Sequence, residues 1–167
     1  MKKNFFQMNP AWQPLFEANG LDSFAALWAT AVTPVDEPNR ARGGWSEVGV
    51  LTLFDQEQPQ RFYLKRQENF NCRTPGHPVC GVPVALREWQ TIRRLAQRGV
   101  ATLDVVACGR QSRSGDRAVL MTAALEGYTD MEQWLAHHTP GVPRRQGLLS
   151  LGRQIGRLHG AGVKHGC

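Results

Sequence analysis

A lysine in a strand-like run and a glutamate on the apolar side of the following helix are the residues of this sequence with the clearest chemistry. Lys65 lies in "RFYLKRQ" (Arg61–Gln67) and Glu88 in "VALREWQTIRRLAQRG" (Val84–Gly99). At 3.6 residues per turn, Val84, Leu95, Ile92, Ala85, Ala96 and Trp89 share one arc of that helix, and Glu88 falls inside it. The opposite face holds Arg87, Gln90, Arg93, Arg94, Gln97 and Arg98, so a solvated glutamate had room elsewhere. A carboxylate drawn into an apolar interface costs several kcal/mol unless it is paired or protonated, so a cation is wanted. Lys65 and Arg66 point to opposite faces of their strand, and only one of them faces the helix. If Phe62 and Leu64 pack on one side, Tyr63 and Lys65 share the other, and Lys65 reaches both Glu88 and a ligand. Otherwise Glu88 is a helix-edge residue bonded to water or to a neighbouring arginine.

Three further clusters carry polar chemistry. "RGGWS" (Arg42–Ser46) sets Gly43, Gly44 and Ser46 where backbone N–H groups can face an anion, although two adjacent glycines also mark an ordinary turn. "NCRTPGHPVCGVP" holds Cys72, His77 and Cys80, three potential zinc ligands with His137, His138 or Cys108 as a fourth; the spacing fits no standard zinc module, and no metal site is assigned. "LHGAGVKHGC" (Leu158–Cys167) reads as a helix passing through a small-residue turn into a loop with His165.

The elements that must position these residues follow from periodicity. "LDSFAALWAT" has helical spacing after a possible cap, Asp22, and "TPVDEPNRARGG" (Thr33–Gly44) is a turn-rich divider. "EVGVLTLF" and "RFYLKRQ" alternate about the polar turn "DQEQPQ" as a β-hairpin. The Pro- and Gly-rich link through Cys72 and Cys80 leads into the helix of Glu88, which stops at Gly99. Two more strands, "TLDVVACG" and "RAVLMTAAL", precede a helix opened by the capping-box pair Thr129 and Glu132. The last helix repeats Leu148, Leu151, Ile155 and Leu158 on one face. The predicted order is helix, strand, strand, helix, strand, strand, helix, helix.

With 167 residues, 41% apolar and 20% charged, the chain has the composition of one soluble globular domain with a real core, and the order of its elements makes it α+β. No apolar run approaches the ~18 residues of a membrane span. The basic start "MKKNFFQMNP" lacks the apolar stretch of a leader peptide, so a cytoplasmic location is expected. The formal charge of +6 suits a polyanionic partner: nucleic acid, anionic lipid or phosphorylated sugar. A solvated basic surface with no partner is the plain alternative. Nucleic acid is the poorest fit, because the basic residues are scattered without an aromatic-interleaved strand or a recognition helix. Four cysteines without C-x-x-C spacing are expected to be reduced thiols.

A strand lysine paired to a helix glutamate is the arrangement that holds the α/β-phosphates of ATP in protein-kinase-like folds, and the order of elements agrees with a kinase small lobe, hinge and first large-lobe helices. The residues themselves go further. "RGGWSEV", "FYLKRQENF", "LREW", "GVATLDVVACG" and "LHGAGVKHGC", in that order from about Asn39 onward, resemble the lipopolysaccharide kinase family of the Kdo/WaaP type, particularly its InaA-like branch. The resemblance implies an N-terminal extension over residues 1–38, a protein-kinase-like small lobe over 39–125 (an antiparallel sheet plus one helix), and over 126–167 the hinge and the beginning of an incomplete large lobe. It implies an ATP- and magnesium-dependent phosphotransferase acting on a lipopolysaccharide core sugar or another anionic glycolipid, with peripheral contact at the inner membrane. Lys65 then resembles the phosphate-binding lysine, Glu88 its helix partner, and Gly43, Gly44 and Ser46 the loop over the phosphates. "MTAALEGY" (Met121–Tyr128) resembles the strand end and hinge along which adenine lies. His165, Gly166 and Cys167 stand at the positions of the His-Arg-Asp triplet, so the catalytic aspartate is replaced by Cys167, a poor proton acceptor for that role. Neither the metal-binding Asn nor an Asp-Phe-Gly segment occurs in these 167 residues, and no phosphotransfer is expected of this chain by itself. A nucleotide-binding pseudokinase is the competing reading.

Overall fold

The computed structural model describes residues 4–112 and 115–163. The elements in chain order are β1 (Phe5–Met8), α1 (Gln13–Ala18), α2 (Phe24–Ala29), β2 (Thr33–Pro34), β3 (Asn39–Ala41), β4 (Gly44–Asp55), β5 (Gln58–Glu68), β6 (Asn71–Thr74), β7 (His77–Pro83), α3 (Val84–Gln97), β8 (Val105–Gln111), β9 (Arg117–Ala123), α4 (Met131–His137) and α5 (Val142–Gly160). They divide into two compact units, one formed by residues up to Gln90 with Leu103–Ala124, the other by Thr91–Thr102 with the residues from Leu125 on.

The first unit is built on a seven-stranded sheet, ordered β1-β8-β9-β5-β4-β2, with β3 also on β4. Every pairing in it is antiparallel. Its centre is the β4–β5 hairpin, whose register runs from Trp45↔Glu68 to Asp55↔Gln58. The expected six-residue turn contracts to Gln56 and Glu57, with φ 44° and 69°. Two left-handed residues twist the chain in the sense that joins right-twisted strands, so pairing continues up to the turn.

Alternation along β5 sends its residues to two different cores. Phe62 and Leu64 meet Val119 and Met121 on one face, where Phe16 of α1 and Phe24 and Leu27 of α2 close the layer. Phe16 and Trp12 pack edge-on to Phe62 at 5.0 and 5.2 Å between ring centroids. On the other face Ala118, Leu120 and Cys108 pack with Val82, Ala85 and Leu86, and Phe5 lies against Trp89.

Several local features differ from the sequence reading. Phe5–Met8 is a strand paired to β8, and the turn-rich divider contains the short strands β2 and β3, which bond successive parts of one edge of β4. The Cys72–Cys80 link is a hairpin of β6 and β7, not a loop, because Pro75–Gly76 closes a turn between pairable runs. Helix α2 is capped by Ser23, not Asp22; the Ser23 hydroxyl accepts from the Ala26 N–H at 3.1 Å. Helix α4 is capped by Asp130, not Thr129, through the Gln133 N–H at 2.8 Å. In both cases the side chain three residues before the bonded amide wins, which is the usual capping reach. Ser23→Ala is expected to lower stability by about 1 kcal/mol, read as a lower urea midpoint at unchanged slope. An effect below about 0.3 kcal/mol would show that tertiary packing alone holds α2.

In the second unit the Trp134 ring stacks on His138 at 4.2 Å, and Gly147 of α5 lies so close that an added Cβ would run into Trp134. The Arg98 guanidinium donates to the Ala161 carbonyl. Gly99, at φ 69°, ends α3, with the Val100 N–H returning to the Leu95 carbonyl. Leu148 and Leu151 of the expected apolar stripe are 43% and 38% exposed. Among the described residues no helix is long and apolar enough to cross a membrane.

Candidate functional site

The register of β5 places Lys65 between Val48 of β4 and Leu120 of β9. Lys65 Nζ donates to Glu88 Oε1 at 2.5 Å. The side chains are 23% and 42% exposed, which corrects the expectation of a buried carboxylate. The reason lies in the phase of α3. Leu86, outside the apolar arc read from sequence, is fully buried with Ala85, and anchoring on these two turns Glu88 to the rim of the packed face. At the rim the pair is worth little to stability, since solvent screens it. Its value is positional: an ammonium has three N–H donors, of which Glu88 takes one, and among the described residues the others are open to an anion.

Arg66, the other cation considered for Glu88, is committed on the opposite face. Its Nε donates to Glu47 at 2.7 Å, and its Nη1 to the carbonyls of Trp28 and Thr30 at 2.9 and 2.8 Å. It ties α2 to the sheet and leaves Lys65 as the cation that faces α3.

One strand away the chain folds over as the β3–β4 hairpin, with Ala41 opposite Gly44 and the tip formed by Arg42 and Gly43 at φ 57° and 79°. Gly43 has open space where a Cβ would point, whereas a Cβ at Gly44 would run into the Glu68 carbonyl. Gly44 therefore lets β4 close on β5 at the Lys65 end of the hairpin. Ser46 is a buried ladder residue flanked by Asn39 and Gln67, not a tip residue. The Arg42 guanidinium lies over the Phe70 ring, 5.8 Å from its centroid. His165 and Cys167 lie outside the described residues.

The potential zinc ligands differ in their burial and their bonding. Cys72 is buried, donating to the Val82 carbonyl and accepting from Arg87, while Cys80 is exposed. The His137 and His138 rings bond carbonyls of their own helix, at Gln133 and Trp134. Among the described residues no three His, Cys, Asp or Glu side chains converge as metal ligands.

Gln67 is the site-forming residue that the sequence reading missed. It is fully buried, donates through Nε2 to the Phe70 carbonyl at 3.1 Å and accepts at Oε1 from the Ala85 N–H at 3.0 Å. Its signal was parity: a polar residue two positions beyond Lys65, on the same face.

With this geometry in hand, the sequence model of the lipopolysaccharide kinase (Kdo/WaaP) family matches residues 25–167. The chain belongs to this family. It is 27% identical over 151 residues to Protein InaA of Escherichia coli (strain K12), covering 87% of this chain and 68% of that protein. It is 35% identical over 101 residues to the lipopolysaccharide core heptose(I) kinase WaaP of Pseudomonas aeruginosa PAO1, covering 57% of this chain and 37% of that enzyme. A solved structure of WaaP in complex with acyl carrier protein superposes with a TM-score of 0.60 at 24% identity, covering 93% of this chain and 56% of that one. This likeness establishes the kinase-like fold. The chain thus spans little more than half of the solved WaaP chain, and the family match takes in Lys65, Glu88 and the β3–β4 hairpin.

Proposed function

We propose that this member of the Kdo/WaaP family supplies the nucleotide-holding part of an ATP-dependent phosphotransferase acting on sugars of the lipopolysaccharide core. The observation that carries the reading is the Lys65–Glu88 pair, set on one sheet face beside the glycine-bearing β3–β4 hairpin. In this reading residues 39–125 are the small lobe, 126–167 the hinge and the start of a large lobe, and the first 38 residues an extension that contributes β1, α1 and α2. The protein works in the cytoplasm, where ATP is available, and meets its glycolipid acceptor at the inner-membrane surface.

The donor set fits a polyphosphate. Lys65 offers its remaining N–H groups to the α/β-phosphates, Glu88 fixes the ammonium in place, and the backbone N–H groups about Gly43 and Gly44 close over the chain of anions. Arg40 and Arg42 add positive charge at the same hairpin. The described residues fit magnesium less well, since no acidic cluster converges, and no step is assigned to the metal. ATP supplies the γ-phosphoryl group; in transfer, a sugar hydroxyl oxygen bonds to γ-phosphorus as the bond to the β–γ bridging oxygen breaks, ADP leaves, and the hydroxyl proton goes to a base. The role of Lys65 and Glu88 is to bind and orient.

A second reading, nucleotide binding without transfer, is favoured by one residue. Cys167 stands where the family resemblance places the catalytic aspartate, and a thiol holds and deprotonates a sugar hydroxyl poorly. Titration of the purified 167-residue chain with MgATP, together with a phosphoryl-transfer assay on core oligosaccharide, tests both readings. Weak MgATP binding that depends on Lys65, without transfer, is expected. Binding indifferent to Lys65 would overturn the nucleotide site, and transfer by this chain would overturn the expectation of inactivity.

A further inference from the structure

We infer that Gln67 is a positioning residue that holds α3 where Glu88 meets Lys65, so that the pair is preformed in this protein instead of being assembled by movement of the helix. The meaning of the pair for nucleotide binding rests on the reading above; the positioning itself rests on the geometry of four residues. Lys65 and Gln67 lie two positions apart on β5 and share a face, about 6.6–6.8 Å of strand. Gln67 Oε1 takes the Ala85 N–H at 3.0 Å, and Glu88 follows Ala85 by three residues, roughly one helical turn. Glu88 Oε1 then returns to Lys65 Nζ at 2.5 Å. Strand, amide, helix turn and ion pair form a closed ring.

The ring requires an acceptor at position 67, and an amide supplies it with its own N–H groups also bonded. The first N–H groups of a helix have no partner within it, and following Pro83 this helix places Val84 and Ala85 against the end of β5. The Val84 N–H goes to the Phe70 carbonyl at 3.2 Å and the Ala85 N–H to Gln67. The same Phe70 carbonyl accepts from Gln67 Nε2 at 3.1 Å. Gln67 is 0% exposed, so water does not substitute for either bond. The Ala85 N–H needs the Gln67 acceptor, while the Phe70 carbonyl, already reached by Val84, takes the Gln67 donor as well, so both ends of the buried amide are bonded. Methionine offers neither function, and asparagine is one methylene too short to span them. A helix held by its own first turn to the lysine strand has little freedom to swing, and Glu88 sits one turn beyond the tether.

The test is the coupling between Lys65 and Glu88, read by urea denaturation of the full chain as a double-mutant cycle of Lys65→Met and Glu88→Gln. In the wild-type background the pair is expected to contribute a factor of about two to five in the unfolding constant beyond the sum of the single effects. In a Gln67→Met background that factor is expected to fall to one. A residue with only a structural role would lower stability and leave the factor unchanged, which would overturn the inference. Where Gln67→Met does not fold, Gln67→Asn carries the same cycle. Amide hydrogen exchange gives the second readout: at least tenfold faster exchange at Ala85 with unchanged rates in β8 and β9 is expected, whereas equal acceleration everywhere would mean general loosening and reject the tether. Failure of the nucleotide reading is separate, since it shows as MgATP affinity indifferent to Lys65→Met and leaves the coupling result standing.

Discussion

Lys65→Met is expected to weaken MgATP binding by roughly 10- to 150-fold, the factor that corresponds to about 1.5–3 kcal/mol for a lost hydrogen bond to a charged group. The methionine matches the lysine stem in length, so the packing beside Val48 and Leu120 is retained while the ammonium is removed. Glu88→Gln keeps the cation but releases its anchor, and a smaller loss is expected. Lys65→Arg keeps the charge on a wider planar head that Glu88 cannot hold in the same place, and recovers only part of the affinity. The decisive control is Arg66→Met. Arg66 is one residue away and equally charged, but its bonds run to Glu47, Trp28 and Thr30 on the other face. Its loss is expected to lower stability and to leave the affinity of the folded protein within about twofold, since removed charges on the far face act only through a screened field. Isothermal titration with each variant distinguishes the cases. Equal losses for Lys65→Met and Arg66→Met would mean that general positive charge, not a built site, attracts the nucleotide.

The contrast between these two neighbours was legible in the sequence because strand alternation is a strict rule with period two. Phe62 and Leu64 identify the core face, and Lys65 must then face the other way. Helix phase was less legible. The arc of α3 was centred on residues that are apolar, but which apolar residues carry the packing depends on what the sheet presents, and Ala118, Leu120 and Cys108 receive Ala85 and Leu86. That rotation moved Glu88 from the interface to its rim. The missed strands share another cause. Phe5–Met8, Thr33–Pro34 and Asn39–Ala41 are at most four residues long, too short to show a period, and exist because β8 and β4 offer unpaired edges. Non-local pairing of this kind leaves no local signature. The β6–β7 hairpin was hidden by its prolines and glycines, which marked its turn correctly but obscured the strands on either side. Gln67 escaped because a glutamine in a strand has no motif. Its function is visible only when the carbonyl of Phe70 and the amide of Ala85 are seen to converge on it.

The two faces of β5 make different demands on sequence. The face bearing Phe62, Leu64 and Arg66 is a place for packing, closed by α1 and α2. The face bearing Tyr63, Lys65 and Gln67 holds the candidate site, with exposure falling from Tyr63 at 40% to Gln67 at 0%. A register slip of one residue would exchange the two sets and place Lys65 under Phe16 and Phe24. The register is guarded by eleven paired positions along β4 and by the left-handed turn at Gln56 and Glu57. Gly44 serves the same end, since its missing Cβ is what allows the last part of the ladder to close against Glu68.

The largest stability effect is expected from Phe62→Ala, at about 3–5 kcal/mol. Phe62 is 0% exposed and sits at the meeting point of three elements, with the rings of Phe16 and Trp12 both edge-on to it. Removing the ring costs its transfer free energy and leaves a cavity between β5 and the rings of Phe16 and Trp12 that the surroundings fill only in part. Such a loss is a large part of the ~5–15 kcal/mol available to a domain. The measurement is urea denaturation followed by tryptophan fluorescence, which Trp12 reports from within the cluster. The companion variant is Tyr63→Ala, one position along and 40% exposed, for which a cost under about 1.5 kcal/mol is expected, since much of the residue is already in water. A Phe62→Ala loss no larger than that of Tyr63→Ala would contradict the two-faced assignment of β5. It would also remove the physical reason for placing Lys65 toward α3, because the same alternation decides both.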